Sequence, residues 1–186
     1  MRIFTSVITL LALTACSSAP PPLQYYLLDS PGIKSAENTP LKRQIRVEVL
    51  PLPEYLQQDG LVMRMADGSL HVSRQHLWAQ GLQQSMPQVL VDALNHTQSG
   101  HFLIMTEPGA ERAEERLVVQ IRHLLIDQQQ GALLNAQYWL LDKQGQVQSQ
   151  GSFTDNQQLD QDGYPHAVEK LQQLLNHLAA RIQTSL

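Results

Sequence analysis

Cysteine is nearly absent from this sequence: Cys16 is the only one in 186 residues. A disulfide framework and a multi-thiolate zinc site are thereby excluded. Charge is also scarce, with Asp, Glu, Lys and Arg making up 16% of the chain against roughly 25% in an average soluble domain. The 13 basic residues are outnumbered by 17 acidic ones, so the basic surplus that marks binding to nucleic acid or anionic headgroups is missing. Glutamine, at 25 positions, fills the deficit and gives a polar but weakly charged surface. No apolar run reaches the ~20 residues that a membrane-crossing helix needs. Glycine-rich phosphate loops, Gly-x-Ser-x-Gly elbows and His-Glu-x-x-His pairs are all lacking. What the chain does have is 42% hydrophobic residues. That is enough apolar material for a core, and the length suits one domain.

The amino terminus reads as an address followed by an anchor. Arg2 supplies a short positive region, and Ile3 to Leu13 form a predominantly apolar stretch of 11 residues, the length of a signal-peptide core. Leu13-Thr14-Ala15-Cys16 then resembles the lipobox of bacterial lipoproteins. In such proteins the thiol is diacylated, the chain is cut just before it, and the new amine is acylated too. Three acyl chains, at roughly 0.8 kcal/mol per buried methylene, anchor effectively permanently where one would be marginal. Ser17-Ser18-Ala19-Pro20-Pro21-Pro22 follows as a stiff polar tether. The expected organisation is a signal peptide over 1–15, a lipidated Cys16 and tether over 16–23, and one domain over 24–186. By resemblance to lipoprotein sorting, Ser17 after the cysteine points to the outer membrane, with the domain in the periplasm.

Within the domain, Gln24 to Leu28 reads as a first strand ended by Asp29-Ser30-Pro31-Gly32, with a polar loop to Lys42. Ile45, Val47 and Val49 alternate with Arg46 and Glu48, the period of a half-buried strand. Leu61–Met65 and Ser69–Ser73 flank Asp67-Gly68, a hairpin-turn signal. Leu77 to Thr97 has helical spacing, with Trp78, Leu82, Met86, Val89, Leu90, Ala93 and Leu94 on one face and Pro87 expected to kink or break it. His101–Thr106 reads as a short strand and Glu107–Arg116 as a loop. Three further strands follow in Leu117–Asp127, Leu134–Leu140 and Val147–Thr154, the last with a glutamine-rich face suited to a sheet edge. A final helix carries Tyr164, Ala167, Val168, Leu171, Leu174, Leu175, Leu178 and Ile182 as one apolar stripe. The order predicts an α/β domain, a mixed sheet with two helices on one face.

Chemistry is thinly signalled. His71 and His76, like His96 and His101, are five apart, which does not place two rings on one helical face. No metal ligand set, catalytic residue or cofactor is expected beyond the lipid on Cys16. Asp155, Asp160 and Asp162 precede the last helix, where they suit its positive end better than acid–base work. Leu50-Pro51-Leu52-Pro53-Glu54-Tyr55-Leu56 stands out as a rigid apolar segment between strands. Proline lowers the entropy lost on docking, which makes Pro51, Pro53, Tyr55 and Leu56 protein-contact candidates. The same segment also suits a buried connection that closes the sheet. Trp78 and Trp139 lie in periodic elements and are expected in the core.

The ordered set of the lipobox, Tyr25-Tyr26-Leu27-Leu28, Val49 to Leu56, Leu77-Trp78-Ala79-Gln80-Gly81-Leu82, Val119-Gln120-Ile121-Arg122, Trp139 and Leu178-Ala179-Ala180-Arg181-Ile182 resembles the ABC-type transport auxiliary lipoproteins. The resemblance covers essentially the whole chain, and Pro87 departs from it. It implies a fold related to the amino-terminal domain of TolB, and a non-enzymatic role in intermembrane lipid transport. The implied partners are an MCE-domain membrane protein that bridges the periplasm and its multi-pass membrane companion. Homo-oligomers are compatible with such a partner. The alternative is a periplasmic carrier that holds an acyl chain itself.

Overall fold

The structure is a computed structural model that describes residues 21–29, 43–96 and 101–186. The signal peptide, Cys16, most of the tether and the loop expected before Lys42 lie outside the described residues. In chain order the elements are strands β1 (Gln24–Tyr26), β2 (Gln44–Val49), β3 (Gly60–Arg64) and β4 (Leu70–Trp78), helix α1 (Leu82–Asn95), strands β5 (His101–Ile104), β6 (Glu115–Asp127), β7 (Gly131–Leu141) and β8 (Val147–Gln157), and helix α2 (Tyr164–Gln183).

β6 is the spine of an eight-stranded mixed sheet. Along one side it pairs antiparallel with β7 over its whole length, and β7 pairs antiparallel with β8. Along the other it pairs parallel with β2 and, at its far end, with β3. β5 extends the sheet beyond β2, while β4 and then β1 extend it beyond β3. The mixed α/β architecture expected from the sequence is the one observed.

One face of this sheet is buried under both helices. α2 lies over β7, β8 and β6, and α1 lies over β2 and β5 and against α2. Leu117, Val119 and Ile121 point from β6 into the core, as do Leu134, Ala136, Tyr138 and Leu140 from β7. They meet Leu82, Met86, Leu90 and Leu94 of α1 and Leu171, Leu174, Leu178 and Ile182 of α2. Each such leucine contributes about 1.5–3 kcal/mol by leaving water. A bulge between Ile121 and His123 leaves Arg122 as one extra residue opposite β7. It shifts the alternation by one, so Leu124 and Ile126 face the core where the parity of Ile121 would have turned them out.

The opposite face of β8 is wet: Gln148, Gln150, Ser152, Thr154 and Asn156 are exposed, and among the described residues the strand pairs only with β7. That matches the glutamine-rich edge expected from the sequence. Gly151 interrupts the inward row because Tyr138 of β7 lies over it, and a β-carbon there would collide with the phenol ring. The Tyr138 hydroxyl lies 2.9 Å from Ser185 Oγ, which ties the sheet to the end of α2.

Two local expectations are corrected. The helix does not begin at Leu77: Leu77 and Trp78 belong to β4, where they pair with Tyr25 and Tyr26. Pairing with a strand some fifty residues away overrides the helical spacing of these two side chains. Gly81, extended at φ −55° and ψ 132°, is where the helix starts. Nor does Pro87 break the helix, since α1 is continuous through it to Asn95. Pro87 is the sixth helical residue, so the only bond it forfeits is the one to the Gln83 carbonyl, close to the helix start. Trp78 is buried as expected, whereas Trp139 is half-buried on the face away from the helices.

Candidate functional site

The rigid segment after β2 turns out to be both plug and ridge. Leu50 N–H donates to the Val119 carbonyl at 2.9 Å, which carries the chain off the end of β2. Leu52 N–H then donates to Gln83 Oε1 at 2.7 Å, and Gln57 Nε2 donates back to the Leu52 carbonyl at 2.7 Å. Glu54–Leu56 form a single 3-10 turn behind Pro53. Leu52 and Leu56 are each 2% exposed and lie in the main core. Contrary to the expectation from the sequence, Leu56 is no contact surface, because its side chain closes the core. Pro51 is exposed, and Pro53 and Tyr55 are half-buried on the outside.

Tyr55 is held by the β6 bulge. Its hydroxyl donates to the Arg122 carbonyl at 3.2 Å and lies 2.9 Å from His123 Nδ1. The two rings are tilted at 31° with centroids 6.3 Å apart. Burial pushes the Tyr55 phenol up, and it stays neutral. Burial, followed by the Arg64 and Arg122 charges, pushes the His123 imidazole below its usual range. The result is an uncharged, pre-ordered aromatic pair beside two prolines, low in the entropy that docking would remove. No local pattern announces the Tyr55–His123 contact, which joins residues 68 apart.

At the other end of β6, Asp127 is a nearly buried carboxylate. Arg64 Nε donates to its Oδ2 at 2.6 Å, and the backbone N–H groups of Gln129 and Gln130 each donate to Oδ1 at 2.8 Å. Burial works against this carboxylate, but the guanidinium and the two amides outweigh it and hold its pKa below the usual value. The group fixes the β6–β7 turn. Beside it, a cleft of about 360 Å³ opens between β3, the end of β6 and the start of α2, where Met63, Ile126, Leu159, Tyr164 and Ala167 share the lining with polar Asp127, Gln128, Gln158 and Asp162. That is the lower end of the roughly 300–1,000 Å³ typical of small-molecule sites.

Asp160 pairs with His166 and lies 3.7 Å from Lys170, and Asp155 lies 3.0 Å from His177. Asp160 braces the start of α2 against the preceding loop, whereas Asp155 belongs to β8 and ties that strand to the middle of α2 instead of sitting at the helix's positive end. Among the described residues no cluster of His, Cys, Asp and Glu is arranged to hold a metal, and no helix is long and apolar enough to cross a membrane.

A third place combines order with exposure. In β1, Tyr26 turns inward, its hydroxyl 2.9 Å from His76 Nδ1, and the His76 ring stacks on Tyr164 of α2 at 3.9 Å. Leu28 is buried just beyond. Leu23, Tyr25 and Leu27 point the other way, into solvent. Their alternation with Gln24, Tyr26 and Leu28 is visible in the sequence, but which row faces out depends on pairing with β4.

The described residues thus form a mixed sheet with a two-helix layer on one face and a proline ridge at the end of β2. The chain belongs to the ABC-type transport auxiliary lipoprotein component family, which matches residues 26–183. It is 28% identical to the intermembrane transport lipoprotein PqiC of Escherichia coli K12 over 185 residues, covering 98% of this chain and 96% of that protein. The PqiC of Shigella flexneri aligns equally well. In fold it is similar to an uncharacterised protein at 23% identity and a TM-score of 0.71, covering 88% of this chain and 98% of the other. It is also similar to protein XCC0632 of Xanthomonas campestris at 17% identity and a TM-score of 0.65, with 86% and 92% covered.

Proposed function

We propose that this chain is a lipid-anchored periplasmic component of an intermembrane lipid-transport system, held in the outer membrane through Cys16. In this role it docks a PqiB-like MCE-domain protein that spans the periplasm from its multi-pass membrane partner, and so contributes to envelope integrity. The observation that carries the reading is the end-to-end match to a protein named an intermembrane transport lipoprotein, over 98% of this chain. Cys16 and its lipobox sit where an anchor is required. The ridge of Pro51, Pro53 and Tyr55 supplies a stiff, partly apolar surface of the kind that docking favours.

The test is crosslinking in intact envelopes, with a photoreactive residue in place of exposed Pro51, followed by identification of the captured partner. An MCE-domain protein is the expected product. Its absence in repeated captures, with the chain itself intact and membrane-bound, counts against the docking role. A second reading, a carrier that holds an acyl chain itself, is favoured by the apolar part of the lining of the cleft between sheet and α2. Native mass spectrometry distinguishes it, because a carrier would retain a phospholipid and a docking subunit would give the bare mass.

A further inference from the structure

The outward row at β1 is not explained by packing among the described residues. Tyr25 of β1 and the residues that directly flank the strand, Leu23 and Leu27, are 62%, 53% and 57% exposed, and their two-residue period suits one side of an extended chain. The inward row, Tyr26 and Leu28, is fixed by His76 and the core, so the outer row cannot rotate inward to hide. From Ser17 to Leu28 the sequence has no Asp, Glu, Lys, Arg or His. Leu23 lies seven residues after Cys16, a span of at most about 25 Å even when fully extended. A chain anchored at Cys16 therefore holds this row close to the lipid surface.

We propose that the outer row of β1 is a membrane-contact surface, with Leu23, Tyr25 and Leu27 entering the interfacial layer of the bilayer that anchors Cys16. The inference rests on the anchoring proposed above and adds an orientation to it. The chemistry suits that layer. Leucine gains by leaving water, and a tyrosine places an apolar ring and a polar hydroxyl at the boundary between them. Three side chains alone would bind weakly, but the tether turns their insertion into an intramolecular step at high effective concentration. Because the row carries no charge, the contact is insensitive to salt and to the fraction of anionic lipid, unlike a polybasic surface.

The test uses the full acylated chain in vesicles of phosphatidylethanolamine and phosphatidylglycerol. With the Cys16 thiol consumed by acylation, Tyr25→Cys introduces a single reactive thiol for a polarity-sensitive fluorophore. Gln150→Cys, exposed on β8 at another edge of the sheet, is the reference. The expected result is flotation of both variants with the vesicles. The label at position 25 should be blue-shifted and quenched by brominated lipid, with no change in high salt, while the label at 150 stays open to aqueous iodide. Leu23→Cys repeats the reading at a second position. Flotation with water-like emission at 23 and 25 overturns the contact and leaves the anchor standing. A blue shift without bromolipid quenching means that protein covers the row, and also overturns it. Failure of the unsubstituted chain to float overturns the anchor and the contact together.

Discussion

Tyr138 and Gly151 constrain each other across β7 and β8: the phenol fills the space that a β-carbon on residue 151 would need. Gly151→Ala is expected to lower stability by about 1–3 kcal/mol through overpacking. Tyr138→Phe, which loses only the hydroxyl contact to Ser185, is expected to cost about 1 kcal/mol. Urea denaturation of the two variants checks both. Asp127 gives a pH-dependent case. Its pKa in the folded chain lies below the usual value, so its contribution is fully present above the ordinary aspartate pKa of about 3.9 and is lost as pH falls through the folded value. Asp127→Asn is expected to cost about 1–2 kcal/mol at neutral pH and to flatten the loss of stability in that acid window. Thermal unfolding across the acid range would show either the flattening or an unchanged slope, and the latter contradicts the assignment. Asp127 was legible in the sequence only as the end of an apolar strand. Its partner Arg64 is 63 residues away, and no local pattern announces such a pair.

At the scale of elements, the sequence was most readable where one side-chain period ran uninterrupted. The stripe of α2, the alternation in β7 and β8, and the Asp67-Gly68 turn between β3 and β4 all appear where their patterns placed them. It was least readable where two periods overlap. Leu77 and Trp78 continue the helical spacing of α1 backwards, yet they pair with β1, and only Gly81 marks the boundary. The bulge in β6 is hidden for a related reason, since a run of apolar residues looks the same in either phase. Pro87 offers a direct test of α1. Restoring an N–H there with Pro87→Ala adds a bond to the Gln83 carbonyl, partly offset by greater freedom of the unfolded chain. A net gain of about 1–2 kcal/mol in denaturation is expected. A loss instead would mean that the proline ring packs in a way that the helix depends on.

For the whole molecule, the candidate surfaces divide between what the sequence announced and what folding assembled. The ridge of Pro51, Pro53 and Tyr55 was conspicuous as a proline-rich apolar segment. Folding then turned Leu52 and Leu56 inward and clamped Tyr55 onto the β6 bulge. The outward row of β1 was present as a simple alternation, but its exposure is decided by β4 on one side and α2 on the other. The membrane contact proposed for β1 requires that the chain be anchored at Cys16, and the proposed docking role places that anchor in the outer membrane. Mass spectrometry of the mature polypeptide isolated from envelopes addresses that condition most directly. A chain beginning at Cys16 and carrying a thioether-linked diacylglycerol and an amide-linked acyl group is expected. A mature chain that retains residues before Cys16, or begins there with a free thiol and amine, would contradict the anchor on which the docking role and the membrane contact depend.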